Sequence, residues 1–185
     1  MIPGVFSLAS WDLVGALPVP LEAVKDWAKD GDLRWINRGG VDLMGSNPDA
    51  NSAFGLPRAK SLYGSVPEQL KDPASFASRL KAMLAARAKY RIAEGELLAV
   101  PEPKEPGLCV LVLRLPDHPL AVTVLNFNRS EVAEEIELGD IPKSARGNWQ
   151  DILSGEAISP LREDRRLPVR LPPLSGTTFV LMPTP

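Results

Sequence analysis

His118 and Cys109 are the only histidine and the only cysteine in the chain, and that scarcity limits the chemistry open to it. One imidazole and one thiol do not make a zinc site of the usual four-ligand kinds. A Ser-His-Asp or Cys-His arrangement would have to use His118. That residue lies in Leu115-Pro116-Asp117-His118-Pro119, a turn composition between two apolar runs, where a solvated side chain is expected. Cys109 alternates within an apolar run and reads as a small core residue. Carboxylates, arginines and tryptophans remain.

Two constellations of these residues have suitable chemistry. Trp11 and Asp12 follow an apolar run at 2–8. The indole can stack on a sugar ring, and the carboxylate can accept hydroxyl hydrogen bonds. A packing tryptophan and a helix-capping aspartate account for the pair equally well. Arg34, Trp35, Asn37, Arg38 and Asp42 combine donors, acceptors and an aromatic face, a mixture suited to sugars; a loop held by internal salt bridges would use the same residues. Asp30-Gly31-Asp32 hints at calcium but lacks the later ligand spacing of a known loop. Asn128-Arg129-Ser130 matches a glycosylation acceptor, read here as an ordinary turn. Glu134, Glu135 and Glu137 read as a solvated strand face. None of these residues is assigned a catalytic or metal-binding role, and no cofactor is expected.

The formal charge is −2 and no basic run stands out, which argues against nucleic acid as a partner because binding it needs many Lys and Arg contacts to phosphate. No apolar stretch approaches the roughly 20 residues that span a bilayer, so no membrane partner is expected. The first residues lack a basic segment, apolar core and small-residue cleavage site. With a lone cysteine, a reducing cytoplasm is the expected setting.

The elements that must position these residues change character near Gly95. A helix is predicted from Pro73 to about Ile92, with Asp72 as its cap and Pro73 at the first helical position. Phe76, Leu80, Met83, Leu84 and Tyr90 recur at helical spacing. Arg87, Lys89 and Arg91 favour the C-terminal end of its dipole, with Gly95 just beyond. A shorter helix candidate covers Leu21 to Lys29, followed by a long loop. Beyond Gly95 the runs are short and β-rich: Leu97–Val100, Leu108–Leu115, Leu120–Phe127, Val132–Leu138, Asp151–Leu153, Val169–Leu171 and Thr177–Met182. Leu108–Leu115 and Leu120–Phe127 flank the Pro116–Pro119 turn as a hairpin. Val132, Ile136 and Leu138 oppose Ala133, Glu135 and Glu137, so that strand has one wet face. An antiparallel β-sandwich is predicted over 95–185. Residues 1–94 do not look self-sufficient: the apolar run at 2–8 is strand-like yet has no preceding partner, and such a strand needs a sheet covered on both faces.

Taken in order, Pro3-Gly4-Val5-Phe6-Ser7-Leu8 with Asp12-Leu13-Val14-Gly15, the helix carrying Met83-Leu84-Ala85-Ala86-Arg87, Trp149-Gln150-Asp151-Ile152-Leu153-Ser154-Gly155-Glu156, and Leu171-Pro172-Pro173-Leu174-Ser175-Gly176 resemble the end of an α-amylase-family glycoside enzyme. They are similar to its Pro-Gly turn into the eighth barrel strand, its last barrel helix and the closing strands of its C-terminal domain. The loop is more specific. Ser10-Trp11-Asp12-Leu13-Val14-Gly15-Ala16-Leu17, Asp30-Gly31-Asp32-Leu33-Arg34-Trp35-Ile36-Asn37-Arg38-Gly39, Asp42-Leu43-Met44-Gly45, Ser61-Leu62-Tyr63-Gly64-Ser65 and Pro67-Glu68-Gln69-Leu70 resemble one branch of the trehalose synthases, the maltose α-D-glucosyltransferases.

The resemblance implies a mixed α and β fold: the final strand, loop and helix of a (β/α)8 barrel over 1–94, then a C-terminal antiparallel β-sandwich over 95–185. It also implies retaining glucosyl transfer between maltose and trehalose, with a carboxylate nucleophile and a carboxylic general acid/base. Those roles belong to barrel strands that would precede Met1, and no residue of this chain inherits them. Trp11, Asp12, Arg34, Trp35, Asn37, Arg38 and Asp42 are then candidates for the substrate rim, since a barrel builds its site on the loops after its strands. The chain alone is expected to be inactive, with maltose or trehalose as ligands of the parent enzyme and the missing barrel as a partner. The competing reading is a non-catalytic carbohydrate-binding or interaction module. It needs exposed aromatics, and beyond Gly95 only Phe127, Trp149 and Phe179 are aromatic. Phe127 and Phe179 fall in apolar strands.

Overall fold

The structure, a computed structural model, describes residues 1–183 except Ala50 and Ala53. Two compact units divide it: Ser7–Ala82, and Met1–Phe6 together with Met83–Pro185. The larger unit carries β1 (Glu96–Ala99), β2 (Leu108–Arg114), β3 (Ala121–Asn126), β4 (Val132–Glu137), β5 (Asn148–Asp151), β6 (Ala157–Pro160), β7 (Arg166–Leu171) and β8 (Ser175–Met182). Helix α1 (Val66–Gln69) lies in the smaller unit, and helix α2 (Phe76–Lys89) contains the boundary between the units.

Strand pairing is antiparallel throughout. One sheet runs β1-β2-β3-β8-β5-β6 and a second pairs β4 with β7. Between them lies the main core, with Val110 and Val112 of β2, Val122 and Val124 of β3, Ile136 of β4, Trp149 of β5, Leu167 and Val169 of β7 and Leu181 of β8. This is the expected sandwich. Its larger sheet has a second covered face, where Leu113, Ala121 and Val180 pack with Ala86, Tyr90 and Ile92. Burial on both faces explains why β3 is buried along most of its length, whereas β4 alternates. Thr123 and Thr178 face each other across β3 and β8. Buried there, their hydroxyls lie 2.9 Å apart.

The expected hairpin forms, pairing Leu113 with Ala121 and Cys109 with Leu125. Four strand expectations change. The strand expected at Asp151–Leu153 forms earlier, as β5, because the Leu153 and Ser154 N–H groups donate to the Asp151 carboxylate, each at 2.8 Å, and turn the chain there. β7 begins at Arg166, because Pro168 is tolerated in a two-stranded sheet whose strands each have a free edge. The edge strand β6 was not expected, since Ala157-Ile158-Ser159-Pro160 lacks the alternation of a half-buried strand. Phe127 falls outside β3 and is 64% exposed. Gly147, at φ 143°, marks a close approach: a Cβ there would lie 2.0 Å from the Met182 carbonyl oxygen.

The run at 2–8 forms no strand. A strand without a neighbour gains no ladder hydrogen bonds, and the first residues are held instead by other groups of the larger unit. Arg87 donates to the carbonyls of Ile2 and Gly4, and the Gly4 N–H donates to the Ala93 carbonyl at 2.9 Å.

In the smaller unit the candidate helix at Leu21–Lys29 shortens to a 3-10 turn at Leu21–Val24, and a second such turn forms at Leu33–Asn37. Val19, Val24, Leu56 and Ala59 make its small core. The long helix is shorter than predicted. Asp72 accepts from the Ala74 N–H at 2.8 Å, ahead of the helix, while Ser75 Oγ accepts from Ser78 at 3.2 Å. At the other end Arg91, not glycine, takes the left-handed conformation, with φ 49°.

Candidate functional site

The smaller unit gathers the candidate residues into two neighbourhoods. The first begins at the 3-10 turn Ser10–Val14, closed by Gly15 at φ 60°. Glycine is needed there twice over, for the left-handed conformation and because a Cβ would meet the Tyr63 ring at 2.9 Å. The N–H groups of Leu62 and Tyr63 donate to the carbonyls of Gly15 and Val14, each at 3.0 Å. Trp11 and Asp12 stand on this turn, both exposed, with Trp11 45% accessible. Among the described residues neither side chain makes a hydrogen bond.

Asp42 lies across from that turn. Its carboxylate accepts from the N–H groups of Gly45 at 2.8 Å and Asn47 at 2.9 Å, with the Arg58 guanidinium 3.8 Å away. Burial pushes its carboxyl upward, but the N–H groups of Asn47, Gly45 and Ser46, with Arg58, outweigh that and hold it below the usual carboxylate range. Asp42 is thus an ionised group whose acceptor capacity fixes its own loop. Together with Arg58, Ser61, Tyr63, Ser65 and Glu68 it lines a cleft of about 390 Å³, and Val14 brings the Ser10–Val14 turn to the same cleft. Hydroxyls, one cation and two carboxylates make it a polar site.

The second neighbourhood is built on the turn Leu33–Asn37. Asp32 caps it, accepting from the Arg34 N–H at 3.0 Å. The Arg34 side chain folds back onto the same carboxylate, with Nε and Nη2 each at 2.8 Å. This fork holds the Asp32 carboxyl down at about 2. Trp35 is surrounded: Trp27 at 5.2 Å between ring centroids, Phe54 edge-on at 5.1 Å, and the Arg38 guanidinium at 5.4 Å. Asn37 is exposed, and among the described residues its amide has no hydrogen-bond partner.

Arg34, Trp35, Asn37 and Arg38 therefore share one turn, while Asp42 shares the cleft with the Trp11–Asp12 turn. Sequence reasoning missed Trp27, Phe54, Arg58 and Tyr63. The available signal was tryptophan density, since three of the four tryptophans fall before residue 36.

The larger unit offers less. Trp149 is fully buried and belongs to the core between the sheets. Glu134 is not part of a solvated face. It points the same way as Val132 and Ile136, and its carboxylate accepts from the N–H groups of Lys104 at 2.8 Å and Glu105 at 3.0 Å. His118 is half-buried rather than solvated, 5.5 Å from the Tyr90 ring. Among the described residues no group of three or more His, Cys, Asp or Glu is placed to hold a metal ion, and no helix is long and apolar enough to cross a membrane.

Comparison with known proteins separates fold from sequence. No protein-family model matches the chain, and no curated protein is significantly similar to it. Solved structures do match. Eubacterium rectale Amy13B superposes with a TM-score of 0.62 at 16% identity, over 99% of this chain and 32% of its own. A Bacillus halodurans protein described as an α-N-acetylgalactosaminidase gives 0.50 at 10% identity, over 66% of this chain and 27% of its own. An Anoxybacillus α-amylase gives 0.44 at 12% identity, over 73% of this chain and 26% of its own. The fold is one that glycosidases use. This glycosidase-type fold spans about a third or less of each of those longer chains, so the likeness concerns architecture and carries no residue roles.

Proposed function

We propose that this chain forms the end of an α-amylase-family enzyme that isomerises maltose to trehalose by retaining glucosyl transfer. The single observation behind this reading is the superposition on Amy13B, which takes in 99% of this chain but only 32% of the other. That coverage fits a chain contributing one end of a larger catalytic fold. The loop motifs from Trp11 to Gly64, which resemble the trehalose synthases, choose the reaction within that fold.

On this reading the nucleophile and the general acid/base lie on barrel strands outside these 185 residues. This chain supplies a rim. Trp11 offers a face for a pyranose and Asp12 an acceptor for hydroxyls. The Asp42–Arg58 contact fixes the wall of the polar cleft, and Arg34, Trp35, Asn37 and Arg38 form a second stretch of the rim on the Leu33–Asn37 turn, outside that cleft's lining. The sandwich stabilises the parent barrel. Cys109, unpaired on β2, suits a cytoplasmic setting.

Purified chain incubated with maltose is expected to yield no trehalose by chromatography or carbon NMR. Co-expression with a chain carrying the earlier barrel strands is expected to produce it. Turnover by rigorously purified chain alone would overturn the proposal.

A further inference from the structure

We infer a second sugar-binding surface, separate from the polar cleft, in which Trp27 is the stacking platform and the ligand is a neutral oligosaccharide. This inference takes only its choice of ligand from the reading of the chain as part of a sugar-processing enzyme; the geometry stands by itself.

Trp27, Trp35 and Phe54 form one cluster, with centroids 5.1–5.7 Å apart. Aromatic side chains are ordinarily among the most buried by area, yet Trp27 is 44% and Phe54 46% exposed. The three rings are not equivalent. Trp35 already carries Trp27, the edge of Phe54 and the Arg38 guanidinium, so it serves as the pedestal. Trp27 is inclined 31° to Trp35 and meets Phe54 edge-on at 5.7 Å, and with both neighbours in place 44% of it stays exposed to a ligand. The neighbouring backbone holds it in place: the Trp27 N–H donates to the Val24 carbonyl at 2.9 Å, and Val24 is a core residue of the unit.

Charge selects the ligand class. From Glu22 to Arg38 the cations Lys25, Lys29, Arg34 and Arg38 are matched one for one by Glu22, Asp26, Asp30 and Asp32. Three pairs form locally: Lys25 with Glu22 at 2.6 Å, Lys29 with Asp26 at 3.3 Å and Arg34 with Asp32 at 2.8 Å. Such a surface has no net field to draw in a phosphate, a nucleic acid or an anionic bilayer. A rigid indole with uncharged polar groups beside it favours a ligand that has both an apolar CH face and hydroxyls. The exposed Asn37 amide, two donors and one acceptor without a partner among the described residues, stands on the same turn as Trp35 and is free to meet such hydroxyls. A neutral sugar chain meets both requirements.

The test is calorimetric titration of the whole 185-residue chain with maltoheptaose and, separately, cellohexaose. Saturable binding of at least one is expected. Trp27→Ala should raise its Kd about ten-fold or more, the usual scale for removing a stacking aromatic anchor. Trp27→Phe, which keeps a ring and guards against a folding defect, should remain within a few-fold of the unaltered chain. Phe127→Ala, an exposed aromatic of the other unit, should bind as the unaltered chain does. Absence of saturable binding to both sugars, or unchanged binding by Trp27→Ala, would overturn the inference. Neither result touches the proposal that the parent enzyme makes trehalose, which is read by conversion rather than binding. Trehalose formation by the chain alone would sink that proposal and leave Trp27 binding intact.

Discussion

His118 has its Nδ1 buried without a hydrogen-bond partner among the described residues, and burial pushes its pKa below the ordinary 6.5. The Lys89 charge pushes the same way and the Asp117 charge opposes both. As pH falls through 6.5, the unfolded chain takes up the proton before the folded one, so acidification removes stability that is fully present above that value. Thermal melts from about pH 7.5 down to pH 5 should show Tm falling, and His118→Asn should make that decline shallower; an unchanged slope in the variant would refute the assignment. The turn around His118 was legible from its prolines, but its burial was not, because Tyr90 is brought to it only by the fold. The candidate site behaves alike. Arg34, Trp35 and Asp42 stood out by residue type, while their partners Asp32, Trp27 and Arg58 depend on the path of the loop. Local sequence therefore named the sugar-suited chemistry without saying which groups are already committed: Asp42 holds its own loop, and Arg34 is forked onto Asp32.

Gln69, the last residue of α1, joins three elements that the sequence presents as separate. Its Nε2 donates to the Leu13 carbonyl at 2.7 Å and the Gly64 carbonyl at 2.8 Å, and its Oε1 accepts from the Ala77 N–H at 3.0 Å. The amide thus ties the Ser10–Val14 turn to α1 and satisfies a donor in the first turn of α2. Gln69→Leu keeps the bulk but leaves those backbone groups unpaired, and should cost the Ser7–Ala82 unit about 2–4 kcal/mol in urea denaturation. A loss within error of zero would show that water replaces the amide. Elements with a strong period were legible: the helical spacing of apolar residues in α2, the β2–β3 hairpin and the alternation of β4. Those missed lacked a period. β6 is an edge strand ending in proline, and the Leu33–Asn37 turn owes its existence to one Asp32 cap. The start of α2 shifted because Ser75 and Gln69, the latter on the preceding helix α1, satisfy its first donors where Asp72 was expected to.

The two compact units differ in what holds them together. In the larger unit continuous antiparallel ladders enclose a core that runs from Leu108 to Leu181. Among the described residues, the smaller unit has 3-10 turns, a short helix and the isolated bridges Ala16–Ser61 and Gly40–Arg58 in place of ladders, and its core centres on four buried residues. Local opening free energy follows buried apolar contact and protected backbone hydrogen bonds, so the smaller unit should open first. Its exposed Lys25, Lys29, Arg38 and Lys60 give trypsin early sites. Limited trypsin digestion read by intact mass spectrometry should therefore cut within 7–82 while the sheets of the larger unit survive as a resistant core. First cuts between β2 and β8 would contradict that ordering. If the 7–82 unit contributes the rim of a larger catalytic fold, co-expression with the barrel chain should protect those same lysines and arginines and leave the digestion of the sandwich unchanged. Protection confined to the smaller unit would locate the partner's contact there; equal protection of both units would place it elsewhere and remove this support for a rim role.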